Sequence, residues 1–415
     1  MIITVLALGA GALRSEASDL RLEPALTLGE EYNDNIFLDP GNVTDYIARV
    51  IPSLRAVYQS KLWDWDVAYA YEYRYYAHKT YDGYSTNRLN LKNTTRLIEE
   101  FLFLKVTDVY TPVSLSLARD YTQESLNVNQ SDQNVLTVNP YLVFHPTQRT
   151  TLNTGYQYRD VWYKDPRASD KQEQSGYAEL QHEISSRVMM TGTARYLYTS
   201  ASNTRYTQDL RYTQGIVQAG PKVEYQDRSL AWGTAGISRI ERGAGTATRL
   251  IWDMGVTHQA PVTSFTVQTA RNWVDDPIYI TRREDRYEAS VTRTVDPTTL
   301  GFSTGFYIYE SANQYQSRRS SVSVSAGQSF TQRLRGNASF MYDVYVNQYA
   351  LSPSYTQTAT RTTSDRYMTN LQVSYLSAEK TTLSFGYQYT NSWSPDDTTY
   401  GYRCNRVTAD VKITF

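Results

Sequence analysis

Residues that could carry out chemistry are few in this sequence and lie far apart. Its histidines are His78, His145, His182 and His258, and its only cysteine is Cys404. Their separations match no metal-ligand spacing, so we expect neither a metal site nor a bound cofactor. A single cysteine also cannot form an intramolecular disulfide, which excludes a disulfide framework.

Asp64 and Asp66 form a local pair of carboxylates of a kind that can serve acid–base catalysis. They are two positions apart and would point to the same face of a β-strand. On a strand wall that faces water, such carboxylates bind water and neighbouring arginines. Serine and aspartate occur throughout the chain and therefore mark no nucleophile, so the sequence predicts a protein that is not an enzyme.

The overall composition excludes two further classes of protein. The chain has 415 residues, a formal net charge of -1 and a mean hydropathy of -0.54. A nucleic-acid-binding protein would carry a basic excess, and we expect no nucleic-acid partner. A helical membrane protein would show apolar runs of about 20 residues, and the sequence has none.

The first residues, 1–17, resemble an export signal. An apolar stretch from Met1 to Leu13 precedes Ser15 and Ala17, which are small residues of the kind found at cleavage sites. The basic region that usually comes first is missing, which indicates a signal truncated at its start. We expect a signal peptide over 1–17 and a single barrel domain over 18–415.

The remaining chain alternates between apolar and polar residues. In the stretch from Trp63 to Tyr75, every odd position is valine or aromatic, whereas the even positions are Asp, Ala, Glu or Arg. Similar alternation surrounds Tyr156, Phe340 and Phe385 and continues from Val407 to Phe415. Because successive strand side chains point to opposite faces, each segment predicts a strand with one apolar face.

The connections between these segments alternate between short turns and longer polar stretches. Nine short turns and ten long loops predict about 20 strands, and 18 would also fit. The predicted long loops include 120–133, 199–209, 241–247, 274–285 and 346–365. Short turns at one end and long loops at the other are typical of outer-membrane barrels.

Tyrosine favours a barrel in a membrane over a soluble sandwich. There are 37 Tyr but only 11 Phe and 7 Trp, and tyrosine suits the boundary between acyl chains and headgroups. A sheet in lipid must close, because an open edge would leave backbone groups without partners. The sequence thus predicts an all-β fold: a closed transmembrane antiparallel β-barrel in contact with the lipid of a Gram-negative outer membrane, with short periplasmic turns and long extracellular loops.

The polar faces of the strands would line a wide, hydrated lumen. The predicted pore-lining residues are Asp64, Asp66, Glu72, Arg74, Arg159, Arg195, Arg333, Arg335, Asp343, Arg406, Asp410 and Lys412. Both signs are present, which favours polar solutes with little net charge over a single-sign selectivity ring. The first strand begins near Leu22, so we expect no plug before it; loops 120–133 or 346–365 would supply any constriction.

The first strand ends in a motif formed by Glu31, Tyr32, Asn33, Asp34 and Asn35, followed by Ile36 and Phe37. This stretch resembles the start of a family of outer-membrane β-barrel porins associated with exopolysaccharide export. The resemblance implies a barrel that lets a secreted polysaccharide cross the outer membrane, together with periplasmic export components. Asn and Asp also favour turns, so the same motif is consistent with a loop start that binds no ligand.

Three functions remain open from the sequence. The first is passage of exopolysaccharide, the second is general diffusion of small polar solutes, and the third is a structural barrel that holds a protein partner.

Overall fold

The structure is a computed structural model that describes residues 19–125, 128–203, 206–243, 245–311, 316–348, 361–395 and 401–415. The predicted signal segment 1–17 lies outside these residues. The strands are β1 (Asp19–Asn33), β2 (Asp45–Gln59), β3 (Trp63–Tyr76), β4 (Tyr84–Ile98), β5 (Leu102–Ser114), β6 (Gln130–Thr147), β7 (Thr150–Tyr163), β8 (Asp170–Ser185), β9 (Val188–Asn203), β10 (Tyr206–Gln226), β11 (Ser229–Arg242), β12 (Gly245–Gln259), β13 (Thr263–Asp276), β14 (Ile280–Val295), β15 (Thr298–Glu310), β16 (Gln316–Ser329), β17 (Leu334–Gln348), β18 (Arg361–Ala378), β19 (Thr381–Trp393) and β20 (Tyr402–Thr414). One short 3₁₀ helix, Tyr121–Gln123, lies between β5 and β6.

All 20 strands belong to one antiparallel sheet in which each strand pairs with the next. The sheet closes because β1 also pairs with β20, from Ala25 opposite Thr414 to Asn33 opposite Arg406. Strands about 4.8 Å apart and tilted by about 40° give a ring roughly 40 Å across between backbones. The predicted closed barrel of about 20 strands is therefore confirmed.

Tight turns occupy one end of the barrel, and connections of very different lengths occupy the other. The tight turns lie at 60–62, 99–101, 148–149, 186–187, 227–228, 260–262, 296–297, 330–333 and 379–380. The prediction of long loops at 199–209, 241–247 and 274–285 is wrong, because the described residues of these stretches are mostly strand. Strand β10 alone has 21 residues. Strands that continue above the bilayer are surrounded by water, so their polar residues resemble loop sequence although the backbone still pairs.

The outward face carries the apolar residues. Val322, Val324 and Phe302 are 39–49% exposed although they lie in the middle of long strands, which marks the surface that contacts lipid. Higher on the same face, Arg271 of β13 pairs with Asp285 of β14 at 2.6 Å. Because charges are costly among acyl chains, this pair marks the extracellular edge of the apolar belt. Among the described residues, no helix is both long and apolar enough to cross a bilayer.

Candidate functional site

The sequence-predicted pore-lining residues occupy two different settings. Near the tight turns, Asp64 pairs with Arg96 at 2.5 Å and Asp66 pairs with Arg55 at 2.9 Å. Arg335 and Lys412 are exposed on the inward face at this end. Arg333 lies in the turn 330–333 and is also exposed, so the structure places it at the rim and not on a strand. This half of the lumen is hydrated.

The pore-lining residues of the opposite half are more enclosed. Glu72 and Arg74 are each 3% exposed and pair with one another. Arg74 also pairs with Glu31 at 3.5 Å. Arg49 pairs with Glu31 at 3.6 Å and with Asp410 at 2.7 Å. Ion pairs that are enclosed in this way make a stiff wall of opposite charges between β1, β2, β3 and β20.

The enclosure arises because a segment between β5 and β6 folds into the lumen. Leu115–Ser125 leaves the top of β5 and reaches strands on the other side of the β1–β20 seam. Arg119 donates to Ser392 of β19 at 3.3 Å, and Ala118 packs between Tyr309 of β15 and Tyr345 of β17. The predicted inward loop at 120–133 is thus present in its first part; 346–365 lies largely outside the described residues.

The segment is held by what we call the Arg–Tyr cluster, formed by Arg119, Glu124, Tyr309, Arg319, Asp343, Tyr345, Arg366 and Tyr402. Glu124 accepts hydrogen bonds from Arg119 at 3.0 and 3.1 Å and from Arg366 and the Tyr402 hydroxyl. Arg366 then bridges to Asp343 at 2.5 Å. Both oxygens of the Glu124 carboxylate are therefore satisfied.

Aromatic rings support these charges from the barrel wall. The guanidinium groups of Arg119, Arg366 and Arg319 lie 5.6, 5.4 and 5.9 Å from the centre of the Tyr345 ring. Such cation–π contacts add to the ion pairs. Arg319 completes the cluster by donating to Asp343 at 3.0 Å.

The pKa of Glu124 shows which influence dominates in the cluster. Burial raises the pKa of its carboxyl, whereas the charges of Arg119 and Arg366 and the hydrogen bonds lower it. The net direction is downward, so Glu124 is ionised in the docked segment. Its charge therefore binds the segment to the wall.

A second inward contact lies on the opposite side of the lumen. Asp275, at the tip of β13, pairs with Arg159 of β7 at 2.5 Å and with Lys171 of β8 at 3.4 Å. Lys171 also donates to the carbonyl of Ile280, and Ser169 N–H donates to Pro277 at 2.7 Å. The β13–β14 tip thus leans towards β7 and β8.

The two inward structures meet in an apolar contact. Leu115 packs with Val161, Tyr163 and Ala168, and Ile278 of the β13–β14 tip covers the same group. The extracellular half of the lumen is consequently narrowed from both sides.

Four of the predicted pore-lining residues lie in or near this half of the lumen. Asp343 and Arg159 lie in the constriction itself. Arg195 on β9 donates to Gln157 and Ser175, and Arg406 donates to the amide oxygen of Gln388.

The motif at the end of β1 forms a clasp over the barrel seam. The Asn35 side chain donates to the carbonyls of Asp39 at 2.7 Å and Arg403 at 2.9 Å, and it accepts from Asp39 N–H at 3.1 Å. Asp34 accepts two hydrogen bonds from Asn405 of β20, at 2.6 and 2.7 Å. In this structure the motif therefore fastens the first strand to the last.

The same first loop also supports the constriction. Leu38 packs with Tyr402 and Cys404 of β20, and Tyr121 and Val128 from the β5–β6 connection lie against them. Asn33 accepts from the Cys404 thiol at 3.3 Å. The clasp and the docked segment thus share one packed region.

Sequence reasoning did not find Arg119, Glu124 and Arg366 as a group. Arg119 and Glu124 lie in a loop without periodicity, and Arg366 lies on β18, hundreds of positions away in sequence. Only the period of two along β17, which places Asp343 and Tyr345 on the same face, could have indicated two inward-facing members. Ring closure, which no local pattern encodes, brings the others together.

Two kinds of reactive group, a hydrolase-type serine and a metal-binding cluster, can be assessed from the structure. A Gly-x-Ser-x-Gly pattern occurs at 301–305 but lies inside β15, where Ser303 contacts the hydroxyl of Ser323 at 2.7 Å. It lacks the strand-to-helix turn that exposes a nucleophile in hydrolases. Within the described ranges, no group of three or more His, Cys, Asp or Glu residues could hold a metal ion.

Comparison with solved structures agrees with the fold. Similar structures include the FrpB iron transporter (F5-1 variant) from Neisseria meningitidis, at 7% identity, 96% coverage of this chain, 83% of that chain and a TM-score of 0.54. They also include the siderophore receptor PirA from Pseudomonas aeruginosa, at 10% identity, 95% and 80% coverage and 0.52. The ferric-catecholate import receptor Fiu from E. coli K12 shows 8% identity, 95% and 82% coverage and 0.52.

This chain has the fold of an outer-membrane β-barrel. The fold is the one shared by these transporters and receptors. No protein-family model and no curated protein matches the chain.

Proposed function

We propose that this barrel is a channel that lets a secreted exopolysaccharide cross the outer membrane. The observation that carries the proposal is the Arg–Tyr cluster on the inner wall of this wide barrel. Tyrosine rings such as Tyr345 suit the apolar faces of sugar rings, and arginine and carboxylate side chains suit their hydroxyl groups. The resemblance of residues 31–37 to exopolysaccharide-associated porins supports the same function, with periplasmic export components as partners.

Deletion of the gene tests this proposal directly. We expect the deletion strain to lose polymer from the medium and retain it in the periplasm, and we expect the wild-type gene to restore secretion. A control variant, Ser325→Ala on the exposed lumen face, should also restore it. Normal secretion by the deletion strain would reject the proposal.

General diffusion of small polar solutes is the second candidate. It is favoured by the ion pairs of opposite sign along the wall, such as Asp64 with Arg96 and Arg49 with Asp410, because a balanced wall selects weakly by charge. Swelling of liposomes that contain the purified barrel in small neutral sugars would support this function. Absence of swelling, with polymer secretion dependent on the gene, would favour the first.

A further inference from the structure

Glu124 occupies an unusual position for a loop carboxylate. It is 1% exposed, and its partners come from two sources: Arg119 from its own segment, and Arg366 and Tyr402 from the barrel wall. An ionised group is seldom buried unless it is paired in this way. The wall thus presents a site that fits a carboxylate.

Two guanidinium groups of the wall lie beneath Glu124. Arg319 and Arg366 both donate to Asp343, at 3.0 and 2.5 Å, whereas the nearby strand carboxylate of Glu284 hydrogen-bonds to Tyr309. One carboxylate therefore serves two guanidinium groups. The second carboxylate that Arg366 contacts is Glu124, which the inward segment supplies.

The apolar half of the same contact is also supplied by the segment. Ala118 packs against Tyr309 and Tyr345, which are 4% and 2% exposed. A small apolar group placed on two tyrosines, with a carboxylate near an arginine, has the two chemical features of an acidic sugar. Such a sugar has an apolar C–H face and a carboxylate at its edge.

We propose that Leu115–Ser125 occupies a glycan subsite and that Glu124 takes the place of the carboxylate of a uronate residue. The ligand class is a carboxylated polysaccharide, and the inward segment is a competing occupant that the polymer displaces. A planar carboxylate matches the donor fork of an arginine better than a neutral hydroxyl does. This inference rests on the proposed function and adds the substrate class.

Single-channel recording tests the subsite. Purified barrels in planar bilayers receive short oligogalacturonates or maltooligosaccharides of equal length, and current blocks report binding. Glu124→Gln keeps the shape of the side chain but removes its charge, so we expect it to lower the dissociation constant for oligogalacturonate by about tenfold. Binding of the neutral oligosaccharide should change little.

Two further variants separate the subsite from general effects. Glu173→Gln removes a carboxylate from another lumen arginine, Arg159, which lies 2.7 Å away, and it should leave oligogalacturonate binding unchanged. Arg366→Gln combined with Glu124→Gln should abolish the tighter binding of oligogalacturonate. If the variant with Arg366→Gln and Glu124→Gln fails to assemble, Arg319→Gln combined with Glu124→Gln provides a second test of the same loss of binding.

The possible outcomes decide the two proposals separately. Equal tightening for both oligosaccharides, or no tightening by Glu124→Gln, overturns the acidic-sugar inference while the deletion experiment still decides polysaccharide passage. Selective tightening that disappears with Arg366 or Arg319 supports the inference.

Discussion

Asn35 shows how one side chain can join distant parts of the chain. It is 0% exposed, and its amide reaches Asn42 of its own loop and Arg403 of β20, 368 positions away. An amide offers two N–H donors and one acceptor oxygen, whereas a hydroxyl has only one donor and an ionised carboxylate has none. The clasp therefore depends on this residue type.

Replacing Asn35 by alanine should destabilise the barrel by about 1–3 kcal/mol, because buried backbone groups would lose their partners. The free energy of unfolding can be measured by urea titration of the barrel in lipid vesicles. The exposed lumen residue Asn337 offers a matched control, and Asn337→Ala should change stability by less than about 0.5 kcal/mol. Equal effects of the two variants would contradict the role assigned to Asn35.

Residue-level prediction from sequence was partial for physical reasons. Strand alternation placed Asp343, Arg406 and Asp410 on the inward face, since a period of two needs only the local sequence. It could not show that Asp343 is shared by Arg319 and Arg366, because those contacts join three strands and depend on register. The motif at 31–35 was visible, but its partner Asn405 was not.

The inward segment is the element whose behaviour differs most from its sequence appearance. Leu115–Ser125 has the polar composition of a solvated loop, yet its 3₁₀ helix is capped by Asp120, which accepts from Thr122 N–H at 2.9 Å. Its docking depends on the ionised form of Glu124. Protonation of this one carboxyl therefore weakens the attachment of the whole segment.

Acidification should release the segment. Because the pKa of Glu124 is lower in the docked segment than its ordinary value of about 4.3, the stabilisation is complete above that value. It is lost as pH falls through the lowered pKa. Single-channel conductance should rise and become noisier below about pH 4, and Glu124→Gln should show this open behaviour already at neutral pH. A conductance of Glu124→Gln that still has the wild-type pH transition would contradict this mechanism.

The architecture of the barrel follows from the division of its strands into a face towards lipid and a face towards the lumen. On β16, Val324 faces outward and is 49% exposed, while the adjacent Ser325 is exposed on the inward face. This division was predictable from sequence, because a membrane forces every strand to obey it. The extension of the strands beyond the membrane was not predictable, because strand residues surrounded by water do not need to alternate between apolar and polar.

Val324 and Ser325 therefore form a matched pair for testing orientation. Val324→Arg should destabilise the barrel by about 2–4 kcal/mol, because it places a charge among acyl chains. Ser325→Arg should cost less than about 1 kcal/mol, because its side chain is solvated in the lumen. Urea titration in vesicles measures both, and a larger cost for Ser325→Arg would reverse the assigned faces.

The pairing of β1 with β20 has a consequence for assembly. Each of the other strand pairs joins neighbours in sequence, whereas Ala25 and Thr414 meet across almost the entire chain. Neighbouring hairpins can form early, but contacts of this separation are made late because a long loop must close first. Until that step, two unpaired edges face the bilayer. The hydrogen bonds of Asp34 and Asn35 to the region of Arg403 and Asn405 thus form at the final step of ring formation, where they act against reopening of a nascent barrel.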